Sequence, residues 1–221
     1  MEPSVYHYDK HGNRNENITD WALEQFRSNY PDGSGKRGQP ITKKAIFQYV
    51  YAVLHDPVYR DKYALNLARE FPRIPFYPHF WQWSDWGKML VKLHIEYEQA
   101  RSFPLKRLDV LDEKARETGH TPKPTLKVDK QAGAIVIDTE TVLTGIPSEA
   151  WEYKLANRSA LEWVLDQYKE RTPKDKTIRE KFNTYRFADY KENVVELIKK
   201  VTTVSVETVR IVRAMQAANR N

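Results

Sequence analysis

The 221-residue chain contains no cysteine, which removes disulfides and thiolate metal sites and fits a reducing compartment. It has eight glycines, and none falls in a glycine-rich phosphate loop or a nucleophile elbow. Its histidines, His7, His11, His55, His79, His94 and His120, never stand at the paired spacing of a zinc-binding helix. No window approaches the roughly 18 consecutive apolar residues of a membrane span, and the opening MEPSVYHYDKHGNRNE has no signal-peptide core. The expectation is a cytoplasmic protein with no metal, no cofactor and no membrane contact.

What is present is aromatic and modestly basic. Six Trp, thirteen Tyr and eight Phe, with 40% hydrophobic residues overall, describe a folded chain with material for one good core, or a core and a smaller lobe. Lys and Arg outnumber Asp and Glu by 36 to 30. That excess permits a polyanionic partner and equally suits plain solubility.

The chain is organised around AIFQYVYAVLHDPVYRDKYALNLAREFPRIPF, Ala45 to Phe76. Ile46, Val50 and Val53 repeat at helical spacing, with Leu54 alongside. Asp56 then caps a second helix with Pro57 in its first turn, striped by Tyr59, Tyr63 and Leu67 and stopped by Pro72 and Pro75. Before this pair, Thr19 and Asp20 are caps for a short helix bearing Trp21 and Phe26. PDGSGKRGQP, residues 31–40, reads as an exposed loop, either a plain connector or a basic loop that settles on phosphates.

Downstream, Phe80, Trp81, Trp83 and Trp86 crowd one short run. They either close a core or offer rings for base stacking. Ser84 reads as the cap of a helix striped by Trp86, Leu90, Leu93 and Tyr97 and ending near Phe103. Leu105, Leu108 and Leu111 recur at helical intervals, giving a short surface helix. From Thr125 to Leu143 the period changes to alternation, through Leu126, Val128, Ile135, Ile137 and Val142, with a turn at Gln131 to Gly133, so two or three antiparallel strands are expected. Ser148 and Ser159 are then set to cap helices, the second carrying Leu161, Val164, Leu165 and Tyr168 inward. The run KERTPKDKTIREK holds six basic residues against three acidic ones and is a solvated linker unless folding aligns the cations. Two helical patterns, Tyr190 to Val201 and Val206 to Gln216, the second opened by Ser205, close the chain.

One stretch has catalytic form. IVIDTET, with Asp138 and Glu140 two apart on a strand and Tyr185 and Asp189 downstream, has the order of a metal-dependent exonuclease. Such folds need a further acid on a separate element and a sheet large enough to hold them all, whereas Asp138 and Asp189 are only 51 residues apart with a helical segment between, so a hairpin-end pair of surface carboxylates is the expectation.

Three ordered blocks carry a family resemblance. ITKKAIFQYVYAVLHDPVYRDKYALNLAREFPRIPF, LTGIPSEAWEYKLANRSALEWVLDQY and YKENVVELIKKVTTVSVETVRIVRAM together resemble the C-terminal specificity domain of Type ISP restriction-modification enzymes and of related large adenine-specific DNA methyltransferases. Between Tyr168 and Tyr190 the chain departs from the family pattern, so contacts there are not carried over. The nuclease, helicase and methyltransferase motifs of a whole enzyme are missing. The resemblance therefore implies a non-catalytic, sequence-specific double-stranded DNA recognition module, a fragment, remnant or subunit of such an enzyme, with its methyltransferase and helicase domains as partners. A protein-interaction module, docking through the Trp81 to Trp86 surface on a larger DNA-processing enzyme, is the alternative.

The expected fold is α+β: a mainly helical domain with a small antiparallel sheet or hairpin around 125–143. Residues 1–40 form a polar segment with the basic loop. Residues 41–221 form the recognition domain, with helices over 42–104, the sheet at 125–143 and C-terminal helices over 148–216. Phosphate contacts are expected from Lys36, Arg37, Lys174, Lys176 and Arg179, which fix position without reading sequence. Gln39, Asn157 and Arg158, in turns beside helices, are the candidates for reading bases.

Overall fold

The structure, a computed structural model, describes residues 17–31, 39–171, 174–182 and 185–220. The chain forms two compact units, Met1–Val91 with Ala214–Asn221, and Lys92–Arg213. The fold is α+β and mainly helical.

In the first unit, α1 (Asp20–Asn29) is capped by the Thr19 hydroxyl, which accepts from the Ala22 amide. Thr42 likewise caps α2 (Lys43–His55). Asp56 caps α3 (Pro57–Lys62), its two carboxylate oxygens accepting from Val58 and Tyr59. The single helix expected beyond Pro57 is broken: Tyr63 leaves the helical basin at φ −111°, ψ 20°, and only a turn, α4 (Ala64–Leu67), follows. Phe26, Tyr30, Tyr49, Phe80 and Trp83 make the aromatic core, with Tyr49 stacked on Phe80 at 5.2 Å. The extended segment after α4 is tied to this core by phenols. Tyr59 donates to the Arg73 carbonyl, Tyr49 to that of Pro75 and Tyr30 to that of Tyr77.

The aromatic run resolves in favour of the core. Phe80 and Trp83 are fully buried, and Trp81 and Trp86 are half-buried, so the run closes a core and leaves only part of two rings for the alternative docking role. They belong to α5 (Phe80–Ile95), which starts four residues before the expected cap. Ser84 lies inside that helix and is buried, its hydroxyl donating to the Ala45 carbonyl of α2. One turn on, Gly87 lets the two helices touch: a Cβ there would stand 1.7 Å from the Gln48 carbonyl oxygen. Past the end of the last helix, Arg220 grips the fully buried Asp56 with both branches of its guanidinium, at 2.7 and 3.0 Å.

The second unit packs helices on a sheet. β1 (Lys106–Asp109), α6 (Glu113–Glu117), β2 (Pro124–Asp129), β3 (Ala134–Asp138) and β4 (Thr141–Thr144) are followed by α7 (Glu149–Glu152), β5 (Lys154–Leu155), β6 (Arg158–Ser159), α8 (Ala160–Gln167), α9 (Lys176–Phe182) and α10 (Lys191–Gln216). The main sheet is antiparallel in the order β1-β4-β3-β2. Its inner face, Leu126, Ile135, Ile137 and Leu143, packs with Leu161 and Leu165 of α8 and Val194 and Ile198 of α10. Leu126 reaches the core through a bulge between Pro124 and Lys127, at φ 46°.

Three local expectations fail here. The leucine-spaced stretch from Leu105 is a strand and then a helix, because residues 106–109 pair with Thr141–Thr144; cross-strand bonding overrides the period, and Leu108 and Leu111 are left exposed. Ser148 makes no capping bond; its hydroxyl turns to Glu149. Ser205 opens no helix. It sits within the continuous α10 and donates back to the Val201 carbonyl, as Thr202 does to that of Ile198.

Candidate nucleic-acid interface

The β5–β6 hairpin pairs Leu155 with Arg158, leaving Ala156 and Asn157 as the turn, with Ala156 at φ 59°. Ser159 then closes a capping box with Glu162, accepting from its amide while the Glu162 carboxylate accepts from the Ser159 amide. These two devices fix Arg158 against the first turn of α8. Trp163 is locked in turn, its indole N–H donating to the Leu155 carbonyl at 2.8 Å. The Arg158 guanidinium lies over that ring, 5.4 Å from its centre.

Arg158 precedes α8 in β6, Glu162 and Asp166 stand one turn apart within the helix, and Lys169 follows its end. Asp166 draws three cations, Arg171 at 2.9 Å, Lys169 at 3.3 Å and Arg158 at 3.6 Å. The bonded Lys169 ammonium holds the Asp166 carboxyl below the usual range, against partial burial, with Arg171 and Arg158 adding to the effect. Lys130 reaches Glu162 at 2.8 Å. Burial pushes Glu162 up, but bonds from Lys130 and Ser159 outweigh it and leave its pKa at about 2. Between β2 and α8 runs a groove of about 340 Å³ lined by Lys127, Val128, Arg158, Glu162, Asp166 and Lys169. The groove and its rim thus carry five cations, Lys127, Lys130, Arg158, Lys169 and Arg171, against Glu162 and Asp166. Both carboxylates stay ionised at neutral pH, and a net positive edge remains for an anionic partner.

Among the residues singled out in the sequence, Arg158 lies in this groove and Asn157 is exposed at the adjoining turn. Lys174 and Lys176 are exposed at the opening of α9. Gln39 is exposed just before α2, in the other unit. Lys36 and Arg37 lie outside the described residues, as does the Arg179 side chain. Sequence reasoning passed over Lys127 and Lys130; Lys169 and Arg171 belong to the basic run KERTPKDKTIREK, from which only Lys174, Lys176 and Arg179 were singled out. For Lys127 the signal was there: it is the outward residue between inward Leu126 and Val128.

The carboxylates with nuclease-like spacing are not on the surface. Asp138 is 3% exposed, pairs with Lys191 at 2.7 Å and accepts from the amides of Glu140 and Thr141. Glu140, 7% exposed, takes both branches of Arg116 and the Asp112 amide. Their acceptor sites are occupied by the protein itself, which explains their burial as structural pairs. Among the described residues no three His, Asp or Glu side chains are grouped to hold a metal.

With the geometry in place, the family is clear. The chain belongs to the Type ISP C-terminal specificity domains, whose family model matches residues 4–197. Among solved structures it is similar to a chain of the DrdV–DNA complex determined by cryoEM, at 54% identity and a TM-score of 0.87, covering 97% of this chain and 21% of that one. A nuclease-deletion mutant of the Type ISP restriction-modification enzyme LlaGI, in complex with a DNA substrate mimic, matches at 26% identity and TM-score 0.62 over 80% of this chain and 16% of its own. The ATP-dependent Type ISP enzyme LlaBIII, bound to DNA, shares the fold at 22% identity and TM-score 0.70, over 98% and 13%. The chain spans about a fifth of the matched DrdV chain or less of the other two. No curated protein matches.

Proposed function

We propose that this chain is the double-stranded DNA target-recognition module of a Type ISP-like restriction-modification enzyme, contributing sequence contacts and no catalytic group. The observation that carries the reading is the cationic groove between β2 and α8, in a chain whose solved relatives are described as DNA complexes. Lys127, Lys169 and Arg171 there, with Lys174, Lys176, Lys36, Arg37 and Arg179 beyond it, take phosphates. Gln39, Asn157 and Arg158 face bases. The methyltransferase and helicase domains of the parent enzyme are its partners, and its place is the cytoplasm. No helix among the described residues is long and apolar enough to cross a membrane.

Binding of the 221-residue chain to a random 25-base-pair duplex, followed by fluorescence anisotropy across a salt series, tests this. The eight phosphate contacts named above give a log–log slope of about −7. A flat response overturns the reading.

A hollow of about 470 Å³ in the second unit favours a docking role alongside the first. Its wall includes Tyr97, Leu155 and Trp163, all exposed, and it suits an apolar segment of the parent enzyme. Tyr97→Glu would then weaken assembly with the remaining domains while leaving duplex binding intact.

A further inference from the structure

Three arginines of the second unit are spent on carboxylates within the protein. Arg107 holds Asp109 and Glu192, Arg116 holds Glu140 and Arg213 holds Glu152, each through paired short bonds to carboxylate oxygens. Their donors are engaged within the protein. Arg158 is different. It donates no hydrogen bond to a described residue, and Asp166 at 3.6 Å is beyond hydrogen-bonding range. Yet it is not a loose surface side chain. Its backbone is held by the hairpin and the capping box, its guanidinium carbon stands over the Trp163 ring at 5.4 Å from the centre, and Trp163 is itself pinned to the Leu155 carbonyl.

A planar donor fork, fixed in orientation and left without an acceptor, is what paired acceptors on a base edge require. Guanine alone presents two acceptors, O6 and N7, side by side in the major groove. A phosphate asks less: a mobile ammonium or guanidinium satisfies it, and Lys127, Lys169 and Arg171 flank the position for that task. We propose, on the basis of the DNA-recognition reading above, that Arg158 reads a guanine through this fork and that Trp163 is its positioning residue. Asp166 pairs with the fork only at 3.6 Å and accepts no hydrogen bond from it.

The test is selection of bound sequences from a duplex library with a 12-base-pair randomised core, for the whole 221-residue chain and its variants. Wild type enriches guanine at one position. Arg158→Lys keeps the charge and the salt slope but lowers that enrichment about tenfold, because an ammonium lacks the fork. Trp163→Leu lowers it similarly, and Trp163→Phe, which keeps a ring face, restores most of it. Thermal melting of each variant checks that it folds. If Arg158→Ala instead weakens all sequences equally and reduces the salt slope by about one, Arg158 serves a phosphate and the inference fails while the DNA-recognition reading stands. If the wild-type chain binds no duplex at any salt, that reading fails and takes this one with it.

Discussion

An Asp, an Arg and a Trp come together in each unit, with opposite consequences. In the first unit Arg220 lies 5.6 Å from the Trp83 ring, grips Asp56 through two short bonds and donates further to the Met215 and Ala218 carbonyls. The carboxylate is fully buried and the arginine side chain is 16% exposed. In the second unit the same residue types stand half in water. Arg158 is 47% exposed and only approaches Asp166. Proximity and residue type are shared. What separates an arginine that holds the fold from one that can meet a ligand is whether its donors are already satisfied out of reach of solvent.

Arg220→Ala would break the comparison most forcefully. It leaves a buried carboxylate without its partner, and urea unfolding should show a loss of about 3–5 kcal/mol, with no effect on guanine preference. Next comes Gly87→Ala, which tests whether packing in the same unit is as unforgiving as its ion pair. With a carbonyl oxygen 1.7 Å from the new Cβ, the helices must separate, at a cost of about 3 kcal/mol, the upper part of the overpacking range.

Glu140 sits between the extremes: poorly exposed, yet paired with a half-exposed Arg116. Its bonds from Arg116 and the Asp112 amide hold its pKa at about 2, below an ordinary 4.5. A depressed folded-state pKa means that stabilisation is present in full above the ordinary value and is lost as pH falls from about 4.5 toward 2. Glu140→Gln should therefore lower the urea midpoint at pH 7, and the gap from wild type should close across that window. Smallest of all, Arg158→Ala should leave stability within about 0.5 kcal/mol. A large loss there would make the two groupings alike after all.

Local chemistry made much of this architecture legible. Thr19, Asp56 and Ser159 cap where their hydroxyl or carboxylate precedes a helical pattern, and the alternation from Leu126 to Val142 does mark strands. The misreadings share a cause. Ser84 and Ser205 look like caps because serine favours helix starts, but inside a helix each hydroxyl found a carbonyl instead, one on a neighbouring helix and one a turn back. The strand at Lys106–Asp109 was hidden by leucines at helical spacing, since its pairing partner lies more than thirty residues away. The candidate interface was half visible for the same reason. Arg158 stood out in its turn, whereas Lys127 and Lys130 join it only when a hairpin distant in sequence folds against α8.

The phenols of Tyr59, Tyr49 and Tyr30 also say something about how the first unit comes apart. The backbone from Arg73 to Tyr77 forms no helix or strand, so three ring-borne hydroxyls are the rivets of a strap that has no ladder of its own. Amides in that strap should become accessible to deuterium as soon as the rings loosen, ahead of the helices they belong to.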